Sequence, residues 1–193
     1  MGRLREFDED AVLTGAMEAF RRHGFGGVSV RDLEQATGLK AGSIYNSYGD
    51  KTGLFDAAMA HYNVAVLRQR IEEHVPEAAG LKGLRRFFLT LLLEPGGASL
   101  GCLITNSAVE FGGGRTLPAH VTGGLRILSD VFALRLKVWK RTGEIAADLM
   151  PEVAATRLLA LYQGILVLVR AGWDKPALKK MIQHEFDRLG DKR

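Results

Sequence analysis

Apolar residues recur at helical spacing along almost the whole chain of 193 residues, while the apolar–polar alternation of a half-buried strand is almost absent. That pattern confines the chain to an all-α fold. Val12, Leu13, Ala16, Met17 and Phe20 share one face of a first helix. It starts at Asp8 or Asp10, because acidic side chains favour a helix N-terminus, and stops at Gly24. Ser29 caps a second, short helix with Asp32 three residues on, in a near capping box. Its inward face is Val30, Leu33 and Ala36. Gly38 breaks the chain before a third helix over about 41–48. Gly49 and Asp50 restart it into a long fourth helix through Leu54, Phe55, Met59, Tyr62 and Val66 to about His74, with Pro76 marking the end.

Five more helices are predicted. The fifth covers about 81–93, and the sixth runs from near Gly101 to the glycines at 112–114. The seventh, about 118–141, spaces Val121, Leu125, Leu128, Phe132, Leu136 and Trp139 along one stripe. Pro151 opens the eighth and Pro176, behind Asp174, opens the ninth. The expected architecture is a module of three short helices over residues 1–50. A bundle of five to six helices follows over 51–193.

Several function classes are excluded on residue grounds. The single cysteine, Cys102, rules out an intramolecular disulfide framework and multi-cysteine metal sites. The five histidines show no His-x-x-x-His spacing, so no metal site is expected. The glycine-rich 96–101 segment lacks the Gly-Lys-Ser/Thr of a phosphate loop. No cofactor and no enzymatic activity are therefore expected. The N-terminus turns acidic at once and is not read as a signal peptide. The longest uncharged apolar stretch, Leu158–Val169, falls short of the ~18 residues of a membrane span. A cytoplasmic protein with no membrane partner is expected.

Within residues 29–48, Leu33, Ala36, Leu39, Ile44 and Tyr48 would fill the angle between two short helices, with Gly38 turning the backbone. Ala41, Gly42 and Ser43 keep the start of the third helix slim enough for a major groove. The segments FRRHGFGGVSVRDL (20–33) and TGLKAGSIYNSYGDKTGLF (37–55) resemble the TetR family of bacterial transcriptional repressors. Their glycines, Tyr45, the aromatic at 48, Lys51 and Leu54 are all in register. Three departures stand out. Lys40 lies one position before the usual basic residue, Tyr48 and Gly49 replace the usual Phe and Pro or Lys, and Asn46 stands for His or Arg.

The resemblance implies a helix-turn-helix DNA-binding domain over residues 1–50, an effector-binding and dimerisation domain over 51–193, and a double-stranded DNA operator as partner. Ser29 and Arg31 would touch phosphate from the second helix. Lys40, Ser43, Tyr45 and Asn46 lie on the third, with Ser43 and Asn46 placed for base edges. Tyr45 and Lys51 would contact phosphate. The alternative for the last two is that Tyr45 packs half-buried and Lys51 is a solvated neighbour of a cap. Net charge carries no argument here. Residues 1–54 hold seven Lys/Arg against eight Asp/Glu, so the +4 of the whole chain lies elsewhere. What remains is local: Arg3, Arg5, Arg31, Lys40 and Lys51 facing phosphate while the acids face away.

The eighth helix is apolar nearly all round, more than a monomer surface tolerates. With the ninth, it is expected to form half of an intersubunit four-helix bundle through Leu158, Tyr162, Ile165, Leu166, Val169, Met181, Ile182 and Phe186. The homodimer would place two reading helices on a near-palindrome, and a small-molecule effector of unknown identity would release it. Gly101-Cys102-Leu103, followed by Asn106 and Glu110, resembles a TetR subgroup in which such a cysteine starts the sixth helix. Cys102 is thus either a redox or electrophile sensor, favoured by the amide dipoles of a first helical turn, or a core residue. Two other classes remain open: a helical-bundle enzyme or carrier, and an interaction module for a different protein. Salt-dependent DNA binding separates them from a repressor.

Overall fold

The computed structural model describes residues 7–93, 100–112 and 117–191. Arg3, Arg5 and residues 96–99 of the glycine-rich loop lie outside the described residues. Every regular element among those described is helical. In order they are α1 (Glu9–Gly27), α2 (Val30–Thr37), α3 (Ala41–Tyr48) and α4 (Lys51–His61), then a π-helical segment (Tyr62–Arg68), α5 (Gln69–His74) and a 3-10 turn (Glu77–Ala79). These are followed by α6 (Gly80–Thr90), α7 (Leu103–Phe111), α8 (Ala119–Arg141), α9 (Pro151–Arg170) and α10 (Lys175–Gly190). The predicted fourth helix is interrupted by the π-helical segment, so the eighth and ninth predicted helices are α9 and α10.

The local signals act where the sequence places them. Asp8 caps α1 by accepting from the Ala11 N–H, and the helix breaks at Gly24 (φ 75°, ψ 170°) before one further turn. Gly38 ends α2 in the left-handed region at φ 70°. The chain divides into two compact units: residues 1–67 with 102–123, and residues 68–101 with 124–193. The first unit thus extends past residue 50. The reason is the supply of apolar surface. Leu33 and Ile44 are the only buried residues of α2 and α3, too little to cover α1, so α4 and α7 pack against α1 as well.

In the first unit, the Phe20, Phe25, Phe55 and Phe111 rings join α1, its terminal turn, α4 and α7. Their centroids lie 5.1 Å apart for Phe20–Phe55 and 5.2 Å for Phe25–Phe111. Such pairs add about 0.5–1.5 kcal/mol beyond burial. Gly15 brings α1 onto α2 so closely that a Cβ there would collide with the Ala36 carbonyl oxygen. In the π-helical segment, the buried Asn63 donates from its side-chain amide to the His120 carbonyl at 2.8 Å.

In the second unit, Phe87 and Phe88 of α6, Phe132 of α8, Tyr162 of α9 and Phe186 of α10 form the aromatic core. Phe87 stacks on Tyr162 at 5.4 Å and Phe88 meets Phe186 edge-on at 5.2 Å. This core takes in most of the residues expected at the interface. Leu158, Tyr162, Ile165, Leu166, Val169, Ile182 and Phe186 are all buried inside the unit, and of the expected eight only Met181 is exposed. A helix that is apolar all round gives no contrast between its faces, and its most apolar stripe is the one the monomer's own core takes. By length and composition alone α9 could cross a membrane. Its buried face and the Arg157–Glu185 ion pair at 2.7 Å mark it as the central helix of this core.

Candidate nucleic-acid interface

Three turns of chain build the candidate site from its supports outward. Ser29 accepts from the Asp32 N–H at 3.2 Å, while its own N–H and hydroxyl donate to Asp32 Oδ2 at 2.8 and 2.6 Å. The capping box is therefore complete. These bonds, from the Ser29 hydroxyl first and its N–H second, hold the Asp32 carboxyl below the usual carboxylate range. Both donors of Ser29 are thus committed to Asp32, and the phosphate contact expected of Ser29 would have to displace the box. Arg31, two residues on, is exposed.

The turn between the helices has its own closure. Thr37 Oγ1 donates to the Leu33 carbonyl at 2.6 Å and accepts from the Leu39 N–H at 3.2 Å. Lys40 is the N-cap of α3 but makes no side-chain capping bond. The bond comes instead from α2, where Glu34 accepts from the Ala41 N–H at 2.7 Å. The two helices are consequently joined at the apolar angle of Leu33 and Ile44 and at this cap.

With Ile44 inward, α3 turns Gly42, Ser43, Tyr45 and Asn46 outward. Positions i, i+1, i+3 and i+4 form one helical face. Tyr45 is 46% exposed, and a Cβ on Gly42 would meet nothing within 4 Å. Lys40 stands exposed at the start of the same face. The surface is slim at its N-terminal end and polar along its length, which is the form a base-reading helix needs.

Lys51 is placed differently from a solvated phosphate binder. Its ammonium donates to the Val28 carbonyl at 2.6 Å and lies 4.8 Å from the Phe25 ring centroid. An ammonium has three N–H donors, so one is used to tie α4 to the α1–α2 connection and the others stay available. Asp50 caps α4 by accepting from the Gly53 N–H at 2.8 Å.

Cys102, the N-cap residue of α7, is only 4% exposed. Its Sγ lies 3.2 Å from the Tyr62 hydroxyl. Among the described residues no group of His, Cys, Asp or Glu could hold a metal ion. Sequence reasoning missed Glu34, and it missed Asn106 and Glu110 as supports of this site. The one available signal for Glu34 was an N-cap lysine, which cannot accept the bond that the helix start requires.

Residues 12–58 match the family described as "Bacterial regulatory proteins, tetR family". The HTH-type transcriptional regulator YezE of Bacillus subtilis is 35% identical over 114 residues, 57% of this chain and 58% of that protein. The chain thus spans just over half of YezE. The HTH-type transcriptional repressor AcnR of Corynebacterium diphtheriae is 26% identical over 174 residues, 89% of this chain and 85% of that protein. The TetR family regulator CifR, in a cysteine-substituted form complexed with operator DNA, superposes with a TM-score of 0.79 over 97% of this chain and 100% of that one, at 24% identity.

Proposed function

We propose that the chain, whose residues 12–58 match the tetR family of bacterial regulatory proteins, is a ligand-responsive transcriptional repressor that binds a near-palindromic operator as a homodimer. The observation that carries this reading is the outward face of α3. Gly42, Ser43, Tyr45 and Asn46 stand free on a helix that α2 caps and Ile44 anchors. Ser43 and Asn46 read base edges. Arg31, Lys40 and Tyr45 contact phosphate, joined by the donors Lys51 keeps free. Ser29 shapes the helix start.

The same polypeptide would dimerise through the outward face of α9 and α10. Val153, Ala160, Gly164 and Val167 fall on one side of α9, at i, i+7, i+11 and i+14, away from its buried stripe. Val153, Val167 and, on α10, Met181 are exposed large apolar side chains. A Cβ on Gly164 would meet nothing within 4 Å, so a second helix can approach closely there. This face replaces the stripe expected from sequence.

A small-molecule effector releases the operator only if it binds the non-binding conformer more tightly, since equal affinity shifts no population. The protein carries out no chemistry of its own, and its place is the cytoplasm, beside the chromosome. Cys102, buried against Tyr62, is read as a structural thiol rather than a sensor.

Selection of duplex DNA from random sequence, followed by affinities at several salt concentrations, tests the reading. Arg31→Ala should weaken binding to all sequences and reduce the salt slope by about one. Asn46→Ala should cost about 1–3 kcal/mol on the selected site and relax its sequence preference. Failure of the wild-type protein to select any duplex would overturn the reading.

A further inference from the structure

We propose that α7 positions the DNA-reading helices through Glu110 and Asn106, so that these two residues, remote in sequence from α2 and α3, set operator affinity. The proposal rests on the reading that α2 and α3 bind DNA. Its starting point is the stretch from Gly24 to Gly27. Three of its four residues are glycine, the residue with the most backbone freedom to lose. α2 begins only three residues later.

The structure shows what does hold it. Glu110 accepts from the Phe25 N–H at 2.8 Å and from the Gly26 N–H at 2.6 Å, one carboxylate oxygen to each. Such charge-assisted pairs are the stronger class of hydrogen bond. One turn earlier on the same face of α7, Asn106 donates to the Arg21 carbonyl at 3.2 Å, near the end of the first part of α1. One turn earlier again is Cys102, beside Tyr62. Residues 102, 106 and 110 therefore form a stripe that ties α7 to the π-helical segment, to α1 and to the turn.

The glycines fit this clasp. A Cβ on Gly24 would come within 2.9 Å of the Glu110 carboxylate, and one on Gly26 within 3.2 Å. Gly24 also needs its positive φ, but Gly26 has none. At 26 it is the close approach of Glu110, not the backbone angle, that leaves little room for a Cβ. From the far side, Lys51 holds the Val28 carbonyl. The segment is consequently gripped on both sides of its bend. The contact of Gly15 with Ala36 and the Glu34 cap then carry that position into α2 and α3.

Charge gives the proposal a distinctive sign. Removing a carboxylate from a DNA-binding protein strengthens its general attraction for phosphate. In a folded Glu110→Ala protein, a loss of affinity therefore reports lost positioning and not lost attraction for phosphate. The experiment uses the full-length protein and the duplex that the wild type selects. Glu110→Ala should bind that duplex between about two- and thirtyfold more weakly, the range for residues that act through others. Its salt slope should stay unchanged and its affinity for unrelated DNA should hold or rise.

Glu110→Gln keeps an acceptor and should recover part of the loss, and Asn106→Ala should weaken binding in the same direction. Hydrogen exchange at the Phe25 and Gly26 amides should accelerate in Glu110→Ala. Wild-type affinity in both Glu110→Ala and Asn106→Ala would overturn the proposal, as would unchanged exchange at those amides. If Glu110→Ala does not fold, Glu110→Gln and Asn106→Ala carry the same comparison. A wild type that selects no duplex would sink the functional reading instead, while the exchange rates would still report on the clasp.

Discussion

Glu34 on α2 caps α3 across the turn, its carboxylate accepting from the Ala41 N–H at 2.7 Å. Helix starts leave amides without intrahelical partners, and Lys40 at this N-cap can offer only donors. Loss of a capping acceptor costs about 0.5–2 kcal/mol. Glu34→Ala should lower stability by that amount and weaken operator binding, whereas Glu34→Gln should retain most of both. Chemical denaturation beside DNA titration checks it; an Ala variant as stable as wild type would show that the bond contributes nothing.

Two glycines in the reading module should respond to alanine with opposite signs. Gly15→Ala drives a methyl into the Ala36 carbonyl, an overpacking that typically costs about 1–3 kcal/mol. Gly42→Ala meets open space and should stabilise α3 by about 0.5–1 kcal/mol, since alanine loses less backbone freedom in a helix. That methyl would also stand on the DNA-reading face, so operator affinity should change while stability rises. Thermal melts and DNA titration of both variants separate the two effects.

The Ser29–Asp32 box sets a pH dependence whose sign is fixed. The Ser29 hydroxyl and N–H lower the Asp32 carboxyl in the folded state. The unfolded chain, with an ordinary carboxyl near about 3.9, then takes up the proton first as pH falls. The contribution of the box is complete above the unfolded value and is lost as pH drops through the folded one. Ser29→Ala removes the larger of the two lowering bonds, so Asp32 should titrate nearer its usual range. An NMR titration of the Asp32 carboxyl carbon reads this directly, and an unmoved titration would contradict it.

Neighbouring residues on α9 should fail in different ways. Val167 is exposed and Leu166 is buried. Val167→Glu should leave a folded monomer, because it places a charge only on the outward face. Leu166→Glu should unfold or aggregate the chain, because a carboxylate without a partner in the core costs several kcal/mol. Sedimentation with circular dichroism distinguishes them. A Val167→Glu protein that remains dimeric would move the interface off this face.

Cys102 should resist alkylation until the protein unfolds, as its 4% exposure requires. Cys102→Ser should cost about 1–3 kcal/mol for burying a hydroxyl, towards the lower end because the Tyr62 hydroxyl is near enough to pair with it. Mass spectrometry after alkylation of native and denatured protein provides the check. Rapid labelling of the native state, with release of DNA, would restore the sensor reading.

What the sequence determined by itself is what depends on neighbours within a turn or two. The helical periodicity, the Asp8 and Ser29 caps, and the positive φ at Gly24, Gly38 and Gly49 all arise from contacts between residues at most four apart. Periodicity also selected the α1 face and most of the α8 stripe, because there polar residues mark the solvent side. What the tertiary structure decided are the pairings across long stretches of chain. Lys51 finds the carbonyl of Val28, and Glu110 finds amides more than eighty residues away. The first compact unit extends past residue 50 because covering α1 requires helices from two stretches of chain. On α9 the apolar residues run all round, so periodicity has no contrast to read, and only the partners in the folded core determine which face is left for a second copy.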